Sequence, residues 1–120
     1  MDVTARVVGE VAVIDLSGRL APPEESSRLR SEVKRLLDAG YTRILVNLHG
    51  VSYVDSAGLG ELLAAKKTAL VAGAELKMLR PSERVYSLIA ETGLTKVFEC
   101  FRDEQTAVRS FRSPSRDPRV

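Results

Sequence analysis

Asp55, Ser56, Gly58 and Gly60 fall together in "YVDSAGLG", Tyr53 to Gly60, between an aliphatic run and a stretch with helical spacing. A carboxylate or hydroxyl at the mouth of a helix can accept hydrogen bonds from first-turn N–H groups that have no partner, so Asp55 or Ser56 suits the role of N-cap. Gly58 and Gly60 lack a Cβ and let another surface approach the backbone, at some cost in helix stability. Leu59, between them, is open to either an outward contact or a place in the core. A hydroxyl here has a second use. Phosphorylated, Ser56 would set its charge against unpaired N–H groups and the positive end of the helix dipole, so the helix tolerates the modification. A partner need not, because roughly −1.5 to −2 of added charge beside Asp55 and near Glu61 makes a dense negative patch that is costly to desolvate. Chemistry alone favours the plainer reading, in which the acid and hydroxyl cap a helix and the glycines ease a tight turn.

Other chemistries lack their parts. A nucleophile elbow needs glycine two residues before the serine, where Val54 stands, and the only histidine, His49, precedes Ser56 instead of following it. One histidine and one cysteine, Cys100, leave no plausible zinc site, and no phosphate-binding G-x-x-x-x-G-K-[ST] loop occurs. Neither catalysis nor a metal or other cofactor is expected.

The elements that must position this stretch read as follows. "VTARVV" from Val3 and "VAVIDL" from Val11, separated by Gly9 and Glu10, suit an antiparallel hairpin. After "SGRLAPPEES", Leu29, Val33, Leu36 and Leu37 form an amphipathic helical stripe, with Pro22 and Pro23 before its entry and Gly40 at its end. "RILVNL", Arg43 to Leu48, has the continuous apolar character of a strand covered on both faces, and the chain then runs as a loop through "HGVSY" into the quoted stretch. Leu59, Leu62, Leu63 and Leu70 keep helical spacing, with Ala65, Ala69 and Ala72 allowing close packing before Gly73. "AELKML" offers a short strand. Pro81 and Ser82 open a helix carrying Val85, Leu88 and Ile89 inward, stopped by Thr92 and Gly93. "KVFECF" reads as the last strand, with Phe98 and Phe101 assigned either to the core or to a contact, and Asp103 caps a final helix through Val108 and Phe111.

Strand–helix alternation calls for right-handed crossovers and hence an α/β fold. The expected sheet is mixed and mostly parallel, of about five strands, with an N-terminal antiparallel hairpin strand and about four helices. In such sheets, loops beyond the carboxyl ends of the strands carry function, which is where Ser56 falls. A length of 120 residues with 44% apolar content supports one core and not two, so a single domain is expected over residues 1–112. Residues 113–120, "SPSRDPRV", have little to bury and read as a disordered tail. The net charge of +2 comes from a basic surplus at the C-terminus, and aromatic residues are scarce, so nucleic acid is not an expected partner. A lone cysteine excludes an internal disulfide, no segment is long and apolar enough for membrane insertion, and no signal-peptide core is seen; the expected location is cytoplasmic.

"LVNLHGVSYVDSAGLGELLAA" with "GAELKMLRPSERVYSLIAETGLTKVFECF" resembles the STAS domain family, in particular the stand-alone bacterial anti-sigma-factor antagonists. The likeness covers Val3 to Phe111; D-S-x-G-L-G is its most specific element, and "LSG-x-L" at Leu16 to Leu20 supports it. The resemblance implies that Ser56 is phosphorylated by a partner that is both anti-sigma factor and serine kinase. The unphosphorylated antagonist sequesters that partner and frees a sigma factor, and a PP2C-type phosphatase restores it. Asp55, Ser56, Gly58, Leu59 and Gly60 match the motif position by position. Two positions depart from it. Ala57 replaces a frequent second hydroxyl, leaving Ser56 as the lone acceptor, and Ala21 replaces an aspartate common after the "G-x-L" turn on the face expected to meet the kinase. The alternative within the family is a subunit of a lipid-transport or signalling complex that binds constitutively through the same loop and helix.

Overall fold

A computed structural model describes residues 1–21 and 23–112, and the backbone alone for residues 23–27. The expected tail at 113–120 and the helix-entry residue Pro22 lie outside the described residues. Nine elements follow in chain order: β1 Asp2–Val8, β2 Val11–Leu20, α1 Pro23–Asp38, β3 Arg43–Val54, α2 Ser56–Val71, β4 Glu75–Leu79, α3 Glu83–Glu91, β5 Cys100–Phe101 and α4 Glu104–Arg109. Their order in the sheet is β1-β2-β3-β4-β5. The β1–β2 pair is antiparallel and the other three are parallel, as the hairpin and the later alternation require.

Because the strands follow one another across the sheet, every crossover steps the same way and its helix lands on the same face. Alternate strand residues reveal both faces. Ala12, Ile14 and Leu16 of β2 and Ile44, Val46 and Leu48 of β3 join one apolar cluster with Leu29 and Val33 of α1, Leu59 and Leu62 of α2, and Val85 and Ile89 of α3. Val11, Val13, Leu45 and Leu79 point the other way, under Ala107 of α4 and Phe111. Lys77, only 4% exposed, anchors that second layer: its ammonium donates to Ser110 O at 2.9 Å and Ser110 Oγ at 3.0 Å and lies 4.9 Å from the Phe111 ring.

Four boundaries differ from the sequence reading. β3 does not stop at Leu48 but continues through "HGVSYV" to Val54, with Val51 and Val54 buried. β2 likewise continues through the expected turn to Leu20, keeping Ala12, Ile14, Leu16 and Leu20 on one face; the register irregularities opposite Asp15/Ser17 and Gly18/Arg19 place the extra residues in β3 and break the alternation there. "KVFECF" supplies only the two residues of β5, because Phe98 leaves the strand path to enter the main core. The last helix ends at Arg109, and Phe111 is buried just beyond it.

Candidate functional site

Extension of β2 and β3 sets the site. Their parallel register pairs Arg19 with Tyr53 and Leu20 with Val54, so both strands end level and Ala21 and Asp55 emerge on one rim of the sheet. Only Asp55 separates β3 from α2, in place of the longer loop expected from "HGVSY" onward. A connection this short hands the direction of the strand straight to the helix.

Asp55 has extended backbone and is the N-cap; its Oδ1 accepts from the Gly58 N–H at 2.7 Å, and its carbonyl accepts from Leu59 N–H at 2.9 Å. The cap is therefore Asp55 and not Ser56, which leaves the serine hydroxyl free of that duty. Ser56 is the first residue of α2, and both it and Ala57 are exposed. Their N–H groups have no hydrogen-bond partner among the described residues, and α2 has no acidic side chain in its first turn. The positive end of the helix thus faces solvent around the Ser56 hydroxyl.

The rest of the motif faces inward. A Cβ on Gly58 would stand 1.9 Å from the Leu20 carbonyl oxygen, so the helix can sit against the end of β2 only with glycine there. Leu59 is 4% exposed and belongs to the main core, which resolves its two possible orientations toward burial. Gly60 is exposed and has open space where its Cβ would be. Ser56, Ala57 and Gly60 are consequently the surface of the motif, with half-buried Ala21 beside them, while Gly58 and Leu59 fix its position.

Two neighbours escaped the sequence reading. Arg19 stacks over the Tyr53 ring at 4.4 Å, a contact created by their cross-strand pairing, and places a cation on the same rim. Glu61 was expected to add to a negative patch, but it is held by Arg30 of α1, whose Nε lies 2.7 Å from Glu61 Oε2. That contact is off the hydrogen-bonding direction, so it is a charge contact and not a directed bond. The Arg30 cation offsets the Glu61 charge. Nothing in the local sequence announces either pairing.

Cys100 and His49 are two further groups of reactive type. Burial pushes the Cys100 thiol up to about 11, away from a nucleophilic thiolate at neutral pH. His49 is exposed, with its backbone N–H donating to Asn47 Oδ1 at 3.1 Å.

A model of the STAS domain matches residues 2–107, and the chain belongs to that family. Its fold is similar to that of a putative anti-sigma factor antagonist from Thermotoga maritima, with a TM-score of 0.75 at 20% identity, covering 89% of this chain and 92% of that one. It is similar also to the Bacillus cell fate determinant SpoIIAA in its phosphorylated form, with a TM-score of 0.69 at 22% identity over 92% of this chain and 100% of that one. The murine anion transporter Slc26a9 contains the same fold as one part of a larger chain, with a TM-score of 0.72 at 20% identity over 87% of this chain and 18% of the transporter. Among the described residues here, no helix is long and apolar enough to cross a membrane.

Proposed function

We propose that this STAS domain is an anti-sigma-factor antagonist whose binding surface is switched by phosphorylation of Ser56. The observation that carries the reading is the separation of roles within one motif: Asp55 caps α2 and Gly58 seats it, leaving the Ser56 hydroxyl exposed and chemically uncommitted. The family membership and the fold likeness to antagonists, one of them solved phosphorylated, support it.

In this reading an anti-sigma factor that is also a serine kinase docks on Ser56, Ala57, Gly60 and Ala21, and its sigma factor is set free. While docked, it transfers the γ-phosphoryl group of ATP to Ser56 Oγ; the hydroxyl proton passes to a base of the kinase and ADP leaves. The phosphate then lies against the unpartnered first-turn N–H groups, so α2 persists, while its charge is buried against a surface shaped for a neutral hydroxyl. The complex separates for that reason. A PP2C-type phosphatase hydrolyses the phosphoserine, releasing inorganic phosphate and restoring the hydroxyl. The chain itself contributes no catalytic group, needs no cofactor, and works in the cytoplasm.

Incubation of the chain with ATP in an extract of its own host, followed by intact-mass measurement and peptide mapping, tests the assignment. One phosphate on Ser56, and none on the Ser56→Ala variant, is expected. An unmodified chain that instead copurifies with transport or scaffold proteins, indifferent to ATP, would favour the constitutive-subunit reading.

A further inference from the structure

The two edges of the sheet are built differently. β5 contributes two residues, a short edge that offers little to a passing strand. β1 contributes seven, Asp2–Val8, and only its inner side is paired, in unbroken register with β2. It carries no proline, lysine or bulge, the usual devices that blunt an edge, and its Val7 is 54% exposed.

The order of side chains on β1 is complementary to itself. Asp2, Thr4 and Arg6 lie opposite Ser17, Asp15 and Val13 and share the face covered by α4, whereas Val3 and Ala5 lie opposite Leu16 and Ile14 on the other. If a second β1 runs antiparallel with Thr4 on the two-fold axis, each Asp2 meets the Arg6 of the other copy, each Val3 meets an Ala5, and Thr4 meets Thr4. Arg6 has capacity for this contact. It donates through Nε and Nη2 to Asp15 and through Nη2 to Glu104, and its Nη1 has no acceptor among the described residues.

We propose that β1 is a self-association edge, joining two copies of this chain into one continuous sheet through the Asp2–Arg6 stretch. The two-fold axis runs perpendicular to the sheet, so the layers of α1, α2 and α3 stay on one side and the two Ser56 rims point in opposite directions. Each copy then keeps its docking surface open, and the dimer does not depend on the switch.

Sedimentation equilibrium on the whole chain, with circular dichroism to verify folding, provides the test. The wild type is expected to show concentration-dependent dimerisation, weakened about tenfold by Asp2→Lys, which sets two like-charged pairs across the junction, and several-fold by Thr4→Lys, which sets one. In a Cys100→Ser background, Thr4→Cys should cross-link to itself under mild oxidation and Ala5→Cys should not. A wild type that stays monomeric at the highest soluble concentration, a dimer indifferent to both lysine variants, or cross-linking at Ala5→Cys alone would overturn the proposal.

Discussion

Gly58 and Gly60 flank the same leucine in the same helix turn, yet one is closed in and the other open. The missing Cβ of Gly58 is occupied by the Leu20 carbonyl, while nothing lies within 4 Å of the position it would take on Gly60. The motif is therefore two interleaved sets of residues. Asp55, Gly58 and Leu59 hold the start of α2 against β2 and the core, and Ser56, Ala57 and Gly60 are what remains exposed, the surface proposed to meet another protein. In the proposed switch, a rigid support beneath a small surface would let one covalent charge act directly on a docked partner.

Substitutions that treat the two sets alike should have opposite effects. Gly58→Ala should cost the most, about 3 kcal/mol or more, because the new methyl collides with backbone that cannot rotate away. A urea unfolding curve measures this, and a loss below about 1 kcal/mol would mean that α2 slides freely on β2. Asp55→Ala should cost about 1 kcal/mol through loss of the bond to Gly58 N–H, with Asp55→Asn keeping most of it. Gly60→Ala should go the other way, adding about 0.5–1 kcal/mol through helix propensity, as no atom obstructs the methyl. The same variant sharpens the contrast: if partner backbone approaches closely at Gly60, binding should weaken several-fold while stability rises.

What could be read in the sequence, and what could not, follows the same division. Periodicity sufficed for α1, α2 and α3, since Leu29, Val33, Leu59, Leu62, Val85 and Ile89 each sit where a helical stripe puts them. It failed for the second half of β3. There the register irregularities with β2 shift Val51 and Val54 inward after polar residues, and a polar run with glycine reads as loop. At the site, Ser56, Asp55 and the glycines were visible as residue types at a strand-to-helix junction. The unequal duties of Gly58 and Gly60 were not, because the Leu20 carbonyl arrives from another strand. The pairing of Glu61 with Arg30 was invisible for a like reason, since Arg30 comes from another helix, and it offsets a charge that the linear sequence leaves unpaired near Ser56.

The central claim, that the hydroxyl of Ser56 decides whether a partner stays, is tested most directly by retention with and without ATP. The wild-type chain and Ser56→Ala are immobilised, loaded from host extract, washed, and then given magnesium and ATP. The account predicts that both capture the same kinase-bearing partner, that ATP releases it from the wild type as phosphate appears on Ser56, and that Ser56→Ala retains it. Equal release from both, or a partner that remains on the chain after Ser56 is fully phosphorylated, would contradict it.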